Sequence, residues 1–129
     1  MKVTYLGHAC VNIQIEEAHF LVDPFISANP LAGHIDINSI EATYILLTHA
    51  HADHILDAEA IAKRTGAPLI TNPEILDHYR KLGLDGHDMN IGGSHRFLDG
   101  KVKIKMVKAV HSSSFPDGSY GGNPAGFLI

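Results

Sequence analysis

The sequence predicts an α/β (α+β) fold in which a mixed β-sheet carries its helices on one face. Three short apolar runs open the chain with no helical pattern between them, as expected of antiparallel strands. Further along, strand-like and helix-like patterns alternate twice, as expected of a parallel βαβα unit. A length of 129 residues with 45% hydrophobic and 19% charged residues fits a single domain.

The opening strands are assigned to residues 3–6, 10–15 and 19–23. Gly7-His8 and a pair of glutamates break the apolar pattern between them, so the three strands should form an antiparallel meander. Residues 24–42 have no sustained period and are rich in Pro, Asn, Gly and Ser, which indicates a long loop of the kind that is often functional. The next run, TYILLT at 43–48, is continuously apolar and predicts a strand buried on both faces.

Two helices are expected in the middle of the chain. Residues 53–65 carry an apolar stripe at helical spacing and end before a glycine, which predicts one continuous helix. A short strand is expected at 68–71. Asn72 as N-cap and Pro73 at the first helical position then open a second helix, which should run through Leu82 and stop at Gly83.

A β-hairpin is predicted at 94–110, with its turn at Asp99-Gly100. In its second strand, apolar residues alternate with lysines, so one face should be buried and the other wet. The alternating apolar positions are Val102, Ile104, Met106 and Val110. Residues 125–129, AGFLI, indicate a strand that has only begun, and we therefore expect the chain to be truncated.

Bulk properties argue against some classes of partner. A formal net charge of −4 without a basic face or tail disfavours binding to nucleic acid or to an anionic membrane. The chain has neither a secretory leader pattern nor an apolar run of membrane-spanning length, so we expect a cytoplasmic protein. The single cysteine, Cys10, cannot form an intrachain disulfide, and its apolar surroundings favour a buried, inert thiol.

Four side chains that commonly bind metals follow the strand at 43–48 within six residues: His49, His51, Asp53 and His54. Imidazole and carboxylate at this density suit Zn, Mn or Fe. The position beyond the carboxyl end of a buried strand is where α/β folds bind their ligands. The alternative is a solvated loop that happens to be rich in histidine, which is a weaker explanation of the spacing HxHxDH.

These residues and several other segments resemble the metallo-β-lactamase superfamily, whose HxHxDH signature is matched without a departure. The further segments resemble one branch of it, the cytosolic and uncharacterised metal-dependent hydrolases related to ascorbate-phosphate lactonases. They are TYLGHA at 4–9, LVDPF at 21–25, SANPLAG at 27–33, MNIGG at 89–93, and AVHSSS at 109–114 followed by GGNPAGF. The resemblance covers essentially the whole chain.

The resemblance implies a set of metal ligands. It gives His49, His51 and His111 to a first metal, and Asp53 and His54 to a second. On sequence alone, a lone histidine such as His111 after a strand is more typical of a polar strand end. Three histidines with an open water position describe a catalytic zinc site, so zinc is the expected cofactor, as one or two ions. Mn, Fe or Ni would suit the same ligands.

Asp53 is the candidate catalytic residue, because it could orient the metal-activated water or accept its proton. By resemblance His8 faces the active-site cleft, although a core histidine is equally compatible with the sequence. Asp23 could orient a ligand histidine, or it could form a turn. Ser112 to Ser114 could contact substrate, but a polar loop is favoured. The remaining histidines are interpreted as surface or packing residues: His19, His34, His78, His87 and His95.

The resemblance further implies a four-layer αββα sandwich built from two similar halves. Residues 1–129 would form the N-terminal half of such a domain. Neither a bridging aspartate nor a final histidine ligand can be assigned after His111. We therefore expect the second metal to have only Asp53 and His54, and the inner sheet face to be covered by a second copy in a homo-oligomer.

The function implied is a metal-dependent hydrolase acting on a small ester, lactone or phosphate-bearing substrate, with this chain weakly active or inactive. One alternative is a catalytically incomplete metal-binding or interaction module. Another is a redox or oxygen-handling di-iron protein, which bound iron and a visible absorption band would indicate.

Overall fold

Two β-sheets face each other in the structure, a computed structural model that describes residues 1–129. The larger sheet contains six strands in sequence order, β1 to β6, and the smaller contains three, β7 to β9. The strands are β1 Lys2–Gly7, β2 Cys10–Ile15, β3 Ala18–Val22, β4 Tyr44–Leu46, β5 Leu69–Thr71, β6 Gly86–Asp88, β7 Ser94–Phe97, β8 Val102–Lys108 and β9 Ala125–Leu128.

The larger sheet is mixed. Strands β1 to β3 form the predicted antiparallel meander, whereas β3 to β6 run parallel to one another. The parallel part brings the carboxyl ends of β3, β4 and β5 to one edge of the sheet. This is the edge where the sequence predicts metal chemistry.

Three short helices pack on one face of the larger sheet: α1 Ala52–Ile55, α2 Ala58–Thr65 and α3 Pro73–Arg80. Two 3₁₀ turns, Pro30–Ala32 and Ile37–Ser39, lie in the long loop between β3 and β4. The predicted fold class, a mixed sheet with its helices on one face, is confirmed. None of the helices has the length and apolarity needed to cross a membrane.

Strand register divides the buried side chains into two hydrophobic cores. Leu21, Ile45 and Leu69 lie side by side on neighbouring strands and pack against the helices. Because successive strand residues point to opposite faces, Phe20, Leu46 and Ile70 point the other way, toward the smaller sheet. Cys10 is fully buried in the helix-side core, as predicted, and burial raises the pKa of its thiol to about 12.

The smaller sheet corrects one expectation about the larger one. Strands β7 to β9 cover the centre of its inner face, where Phe20, Leu46 and Ile70 are fully buried. The expectation that this face needs a second copy to cover it is therefore wrong at its centre. At the β1 end of the same face, Val3 and Tyr5 remain 58% and 68% exposed.

The ends of several strands and helices also differ from those predicted. Strand β8 ends at Lys108, and Val110 is 89% exposed, so Val110 does not belong to the buried face of the hairpin. The second helix begins at Pro73 with its Asn72 cap, as predicted, but ends at Arg80. Strand β6 was not predicted, because its sequence, Gly-His-Asp, carries no apolar signal.

The predicted continuous helix at 53–65 is wrong, because Asp57 separates α1 from α2. Its carboxylate Oδ2 accepts hydrogen bonds from the backbone N–H groups of Ile26 at 2.6 Å and Ser27 at 2.9 Å, and Oδ1 accepts one from the Ser27 hydroxyl. Its own N–H donates to the Pro24 carbonyl at 3.0 Å. The long loop therefore takes the hydrogen bonds that would otherwise continue or cap the helix.

Replacing Asp57 with Ala is expected to lower the free energy of unfolding by about 3 kcal/mol, because the buried Ile26 N–H would lose its acceptor. Urea denaturation followed by circular dichroism measures the change. The matched control is Asp77→Ala, since Asp77 is exposed and pairs only with Arg80 on the surface, a contact worth less than about 1 kcal/mol. Equal losses in the two variants would contradict the role given to Asp57.

Candidate metal centre

The candidate metal centre lies at the carboxyl edge of the parallel strands. Asp23 follows β3 directly, and Thr48 and His49 come just after β4. The chain then turns through His51 into α1, which carries Asp53 and His54. His111 reaches the same place from the loop after β8.

His49 is at the centre of a cluster of four imidazoles. Its Nε2 lies 3.1 Å from Nδ1 of His51. Its ring centroid lies 4.0 Å from that of His54 and 4.5 Å from that of His111. The His51 and His111 centroids are 6.4 Å apart. The structure thus brings together the four histidines expected as ligands, including the one that sequence spacing alone left open.

A second group of ligand atoms is formed by His8, Asp53 and His54, which all lie within 4.8 Å of one another. Nε2 of His8 is 3.1 Å from Oδ2 of Asp53, and the His8 and His54 ring centroids are 5.1 Å apart. The side chain of His8 is 43% exposed, so the alternative of a core histidine is wrong. His8 thus lies beside Asp53 and His54, the pair expected to be alone at the second metal position.

Backbone conformation explains how His8 reaches the site. Gly7 and His8 both have positive φ, +107° and +51°, in the turn between β1 and β2. A non-glycine residue in this region is uncommon and marks a turn that the surroundings impose. The sequence signal was the Gly7-His8 break, which predicted the turn but not the direction of the imidazole.

Asp23 joins three elements through its buried carboxylate. It accepts hydrogen bonds from the Thr48 N–H at 2.8 Å and the Thr48 hydroxyl at 2.6 Å, and its Oδ2 lies 2.9 Å from Nδ1 of His54. These partners are remote in sequence, so the alternative of a local Asx turn is not what the structure contains. Although an oxygen of Asp23 lies within 4.8 Å of His49 and His54, its existing partners suit an orienting carboxylate better than a ligand.

The imidazoles of the cluster differ in pKa. Burial, followed by the charges of His54, His111 and His51, lowers the pKa of His49 to about 4. Burial also acts to lower the pKa of His54, but the hydrogen bond and the charge of Asp23 outweigh it and raise that pKa above the ordinary 6.5. His49 is therefore neutral at pH 7, as a metal ligand must be.

The donor set fits a divalent transition metal. His49, His51 and His111 supply three imidazoles around one position, and His8, Asp53 and His54 supply two imidazoles and a carboxylate around another. Thr48 Oγ1 lies 2.9 Å from Nδ1 of His49, which leaves Nε2 of that ring facing His51. Such a partner on the far nitrogen is typical of metal-binding histidines.

The serines and the other histidines have different positions. Ser112 is exposed, with its hydroxyl 3.5 Å from Nε2 of His51, whereas Ser113 is buried and cannot reach a substrate. The remaining histidines do not join the cluster, which agrees with their interpretation as packing or surface residues. His19 contacts Glu41, His78 stacks on Phe115, His87 contacts His95, and His34 is exposed.

The chain is similar to known metallo-hydrolases in sequence and in fold. A family model described as "Metallo-beta-lactamase superfamily" matches residues 3–119. A "UPF0173 metal-dependent hydrolase" of Flavobacterium johnsoniae is 57% identical over 129 residues, which is 100% of this chain and 56% of that protein. A protein of the same description from Christiangramia forsetii is 57% identical over 130 residues, with 57% of its length covered. The chain thus spans about half the length of the curated relatives it matches.

Solved structures share the fold. Igni18, described as a novel metallo hydrolase from the archaeon Ignicoccus hospitalis, superposes with a TM-score of 0.84 at 32% identity, over 98% of this chain and 54% of that one. A β-lactamase from Chitinophaga pinensis gives a TM-score of 0.63 at 18% identity, over 98% of this chain and 53% of the other. At this lower identity the likeness concerns the fold alone.

Replacing Asp23 with Asn is expected to lower the pKa of His54, because the variant loses the charge that stabilises its imidazolium form. Because the pKa of His54 is raised in the folded state, the pairing of His54 with Asp23 stabilises the fold at pH values below the ordinary pKa of 6.5. This stabilisation is lost as the pH rises through the folded-state pKa of His54. NMR titration of the metal-free chain measures the pKa of His54. Asp36→Asn, in the exposed loop, is the control. An unchanged His54 pKa in Asp23→Asn would show that another group raises it.

Proposed function

Since this chain belongs to the metallo-β-lactamase superfamily, we propose that it provides the metal-binding part of a metal-dependent hydrolase of small ester, lactone or phosphate-bearing substrates. The observation that carries the proposal is the convergence of His49, His51 and His111 beside Asp53 and His54 at the carboxyl edge of the sheet. The description of the curated relatives as metal-dependent hydrolases supports it.

His49, His51 and His111 would hold the first metal, with zinc the first candidate and Mn, Fe or Ni as alternatives. Asp53 and His54 would hold a second ion, with His8 as a third side chain at that position. When bound, a divalent cation lowers the pKa of an attached water toward neutrality and so supplies the nucleophile.

The protein's own residues would position the reaction. Asp53 is half exposed and lies beside His8, so it can orient a water or accept its proton as a general base. Asp23 holds the His54 ring through Nδ1 and leaves its Nε2 free. The exposed Ser112 hydroxyl, beside His51, is available to a polar group of the substrate.

A second candidate function is a metal-binding or interaction module without turnover. The observation that favours it is the coverage of the curated relatives, of which this chain spans 56% to 57%. We propose on the same ground that residues 1–129 form the N-terminal half of a metallo-β-lactamase-like domain. The residues that shape the substrate site would then lie partly in the other half.

The double variant His49→Ala, His51→Ala is expected to lose the metal that the unmodified chain retains through dialysis, because two of three imidazole ligands are removed. Elemental analysis measures the metal content. His34→Ala, which changes an exposed histidine outside the cluster, should keep the metal.

The same proteins, supplied with Zn²⁺ or Mn²⁺, are assayed on p-nitrophenyl acetate, a γ-lactone and bis(p-nitrophenyl) phosphate. We expect weak turnover of at least one substrate, abolished by the double variant and by chelation. Bound metal without turnover would support the module instead, and no metal in the unmodified chain would contradict both functions.

We also propose that the chain forms a homo-oligomer. Val3 and Tyr5 leave an exposed apolar surface at the β1 end of the inner face, and β9 is an edge strand with Leu128 59% exposed. Light scattering at micromolar concentration should detect a species larger than the monomer, which Tyr5→Glu weakens. Leu31→Glu, at an apolar residue 87% exposed elsewhere, is the control. A strictly monomeric unmodified chain would contradict the proposal.

A further inference from the structure

We infer that Ser113 is a positioning residue that fixes His111 against the pair His49 and His51. The inference rests on the proposed function, because it assumes that these three histidines bind one metal. Ser113 follows His111 by two residues, and Ala50 lies between the other two histidines. A link between Ser113 and Ala50 therefore joins the two loops that carry the three imidazoles.

The link is made by the buried hydroxyl of Ser113, which both accepts and donates a hydrogen bond. The Ala50 N–H donates to Oγ of Ser113 at 3.2 Å, and the Ser113 hydroxyl donates to the Gly121 carbonyl at 3.0 Å. The Gly121 N–H in turn donates to the Ser113 carbonyl at 3.2 Å. Ser113 is only 7% exposed, and Ala50 is fully buried, so water cannot easily replace these partners.

Close packing surrounds the same contact. A Cβ added at Gly121 would overlap the Cβ of Ala50 and lie 2.7 Å from Oγ of Ser113. Unlike its neighbour Gly122, Gly121 does not have a positive φ. A side chain at Gly121 would therefore be excluded by steric overlap with Ala50 and Ser113, and not by backbone strain. The absence of a side chain at this position lets the two loops approach.

Asn72 anchors the link to a helix. Its Nδ2 donates to the Gly121 carbonyl at 2.8 Å, while its Oδ1 accepts from the Ile75 N–H at 2.9 Å as the N-cap of α3. The loop after β8 is thus attached through Gly121 to a rigid element on the helix side of the larger sheet.

His111 itself has few other restraints. It is exposed, and Val110 before it is 89% exposed. The hydrogen bond of its ring is a local one, from Nδ1 to the Ser112 carbonyl at 2.8 Å. The buried contacts of Ser113 are therefore what places the His111 backbone within reach of His49.

The test is cobalt binding to the full chain, since Co²⁺ takes the same ligands and its visible spectrum reports the geometry of the site. Ser113→Ala is expected to weaken Co²⁺ binding roughly 10- to 100-fold, as for other residues that orient metal ligands, and to alter the visible band. Ser113→Thr keeps the hydroxyl and should restore both. Ser114→Ala, which changes the next serine in the loop, is the control and should bind like the unmodified chain.

Thermal melting of the metal-free proteins shows whether each variant is folded. If Ser113→Ala does not fold, Gly121→Ala replaces it, because it keeps the hydroxyl but pushes the loops apart, and the same loss is expected. A folded variant with cobalt affinity and spectrum unchanged would overturn the inference. If the unmodified chain binds no cobalt, the proposed function fails first, and the inference with it.

Discussion

The site depends on the buried carboxylate of Asp23. A carboxylate that is 2% exposed must have its oxygens satisfied, and here Thr48 and His54 supply the partners. One side chain therefore fixes the end of β3 to the end of β4 and to helix α1. Asp23 adopts a φ of +44°, a strained conformation for a residue other than glycine, which these hydrogen bonds maintain. The position of His54 in the cluster follows from the same contacts.

Asp57 acts in the same way on the other side of α1. Because its carboxylate binds the backbone at Ile26 and Ser27, the helical stripe is interrupted and α1 is left as a single turn. A separate short helix can point Asp53 and His54 into the site while α2 follows the sheet. Two buried acids thus hold the segments on either side of α1 through hydrogen bonds to residues remote in sequence.

The sequence predicted those features that are encoded locally. The spacing of His49, His51, Asp53 and His54 follows a buried strand and needed no tertiary information, and neither did the N-cap of α3 at Asn72. His8 was assigned only by resemblance, since its direction depends on two consecutive residues with positive φ. The break at Asp57 and the buried role of Ser113 depend on partners about 30 and 63 residues away, which no local pattern contains. Strand β6 is defined by its neighbour β5, because its own residues carry no strand signal.

The charges of the cluster explain how so many imidazoles can lie together. Four protonated rings at these distances would repel one another strongly, and the site avoids this in two ways. His49, the most central, is kept neutral by burial and by its neighbours, with a pKa near 4. His54, whose pKa is raised, is paired with Asp23. A cation entering at neutral pH therefore displaces no proton from the central ring, and it meets the half-exposed carboxylate of Asp53. The central ring is thus ready to bind a cation, whereas a cation at the second position has to displace the proton that Asp23 favours on His54.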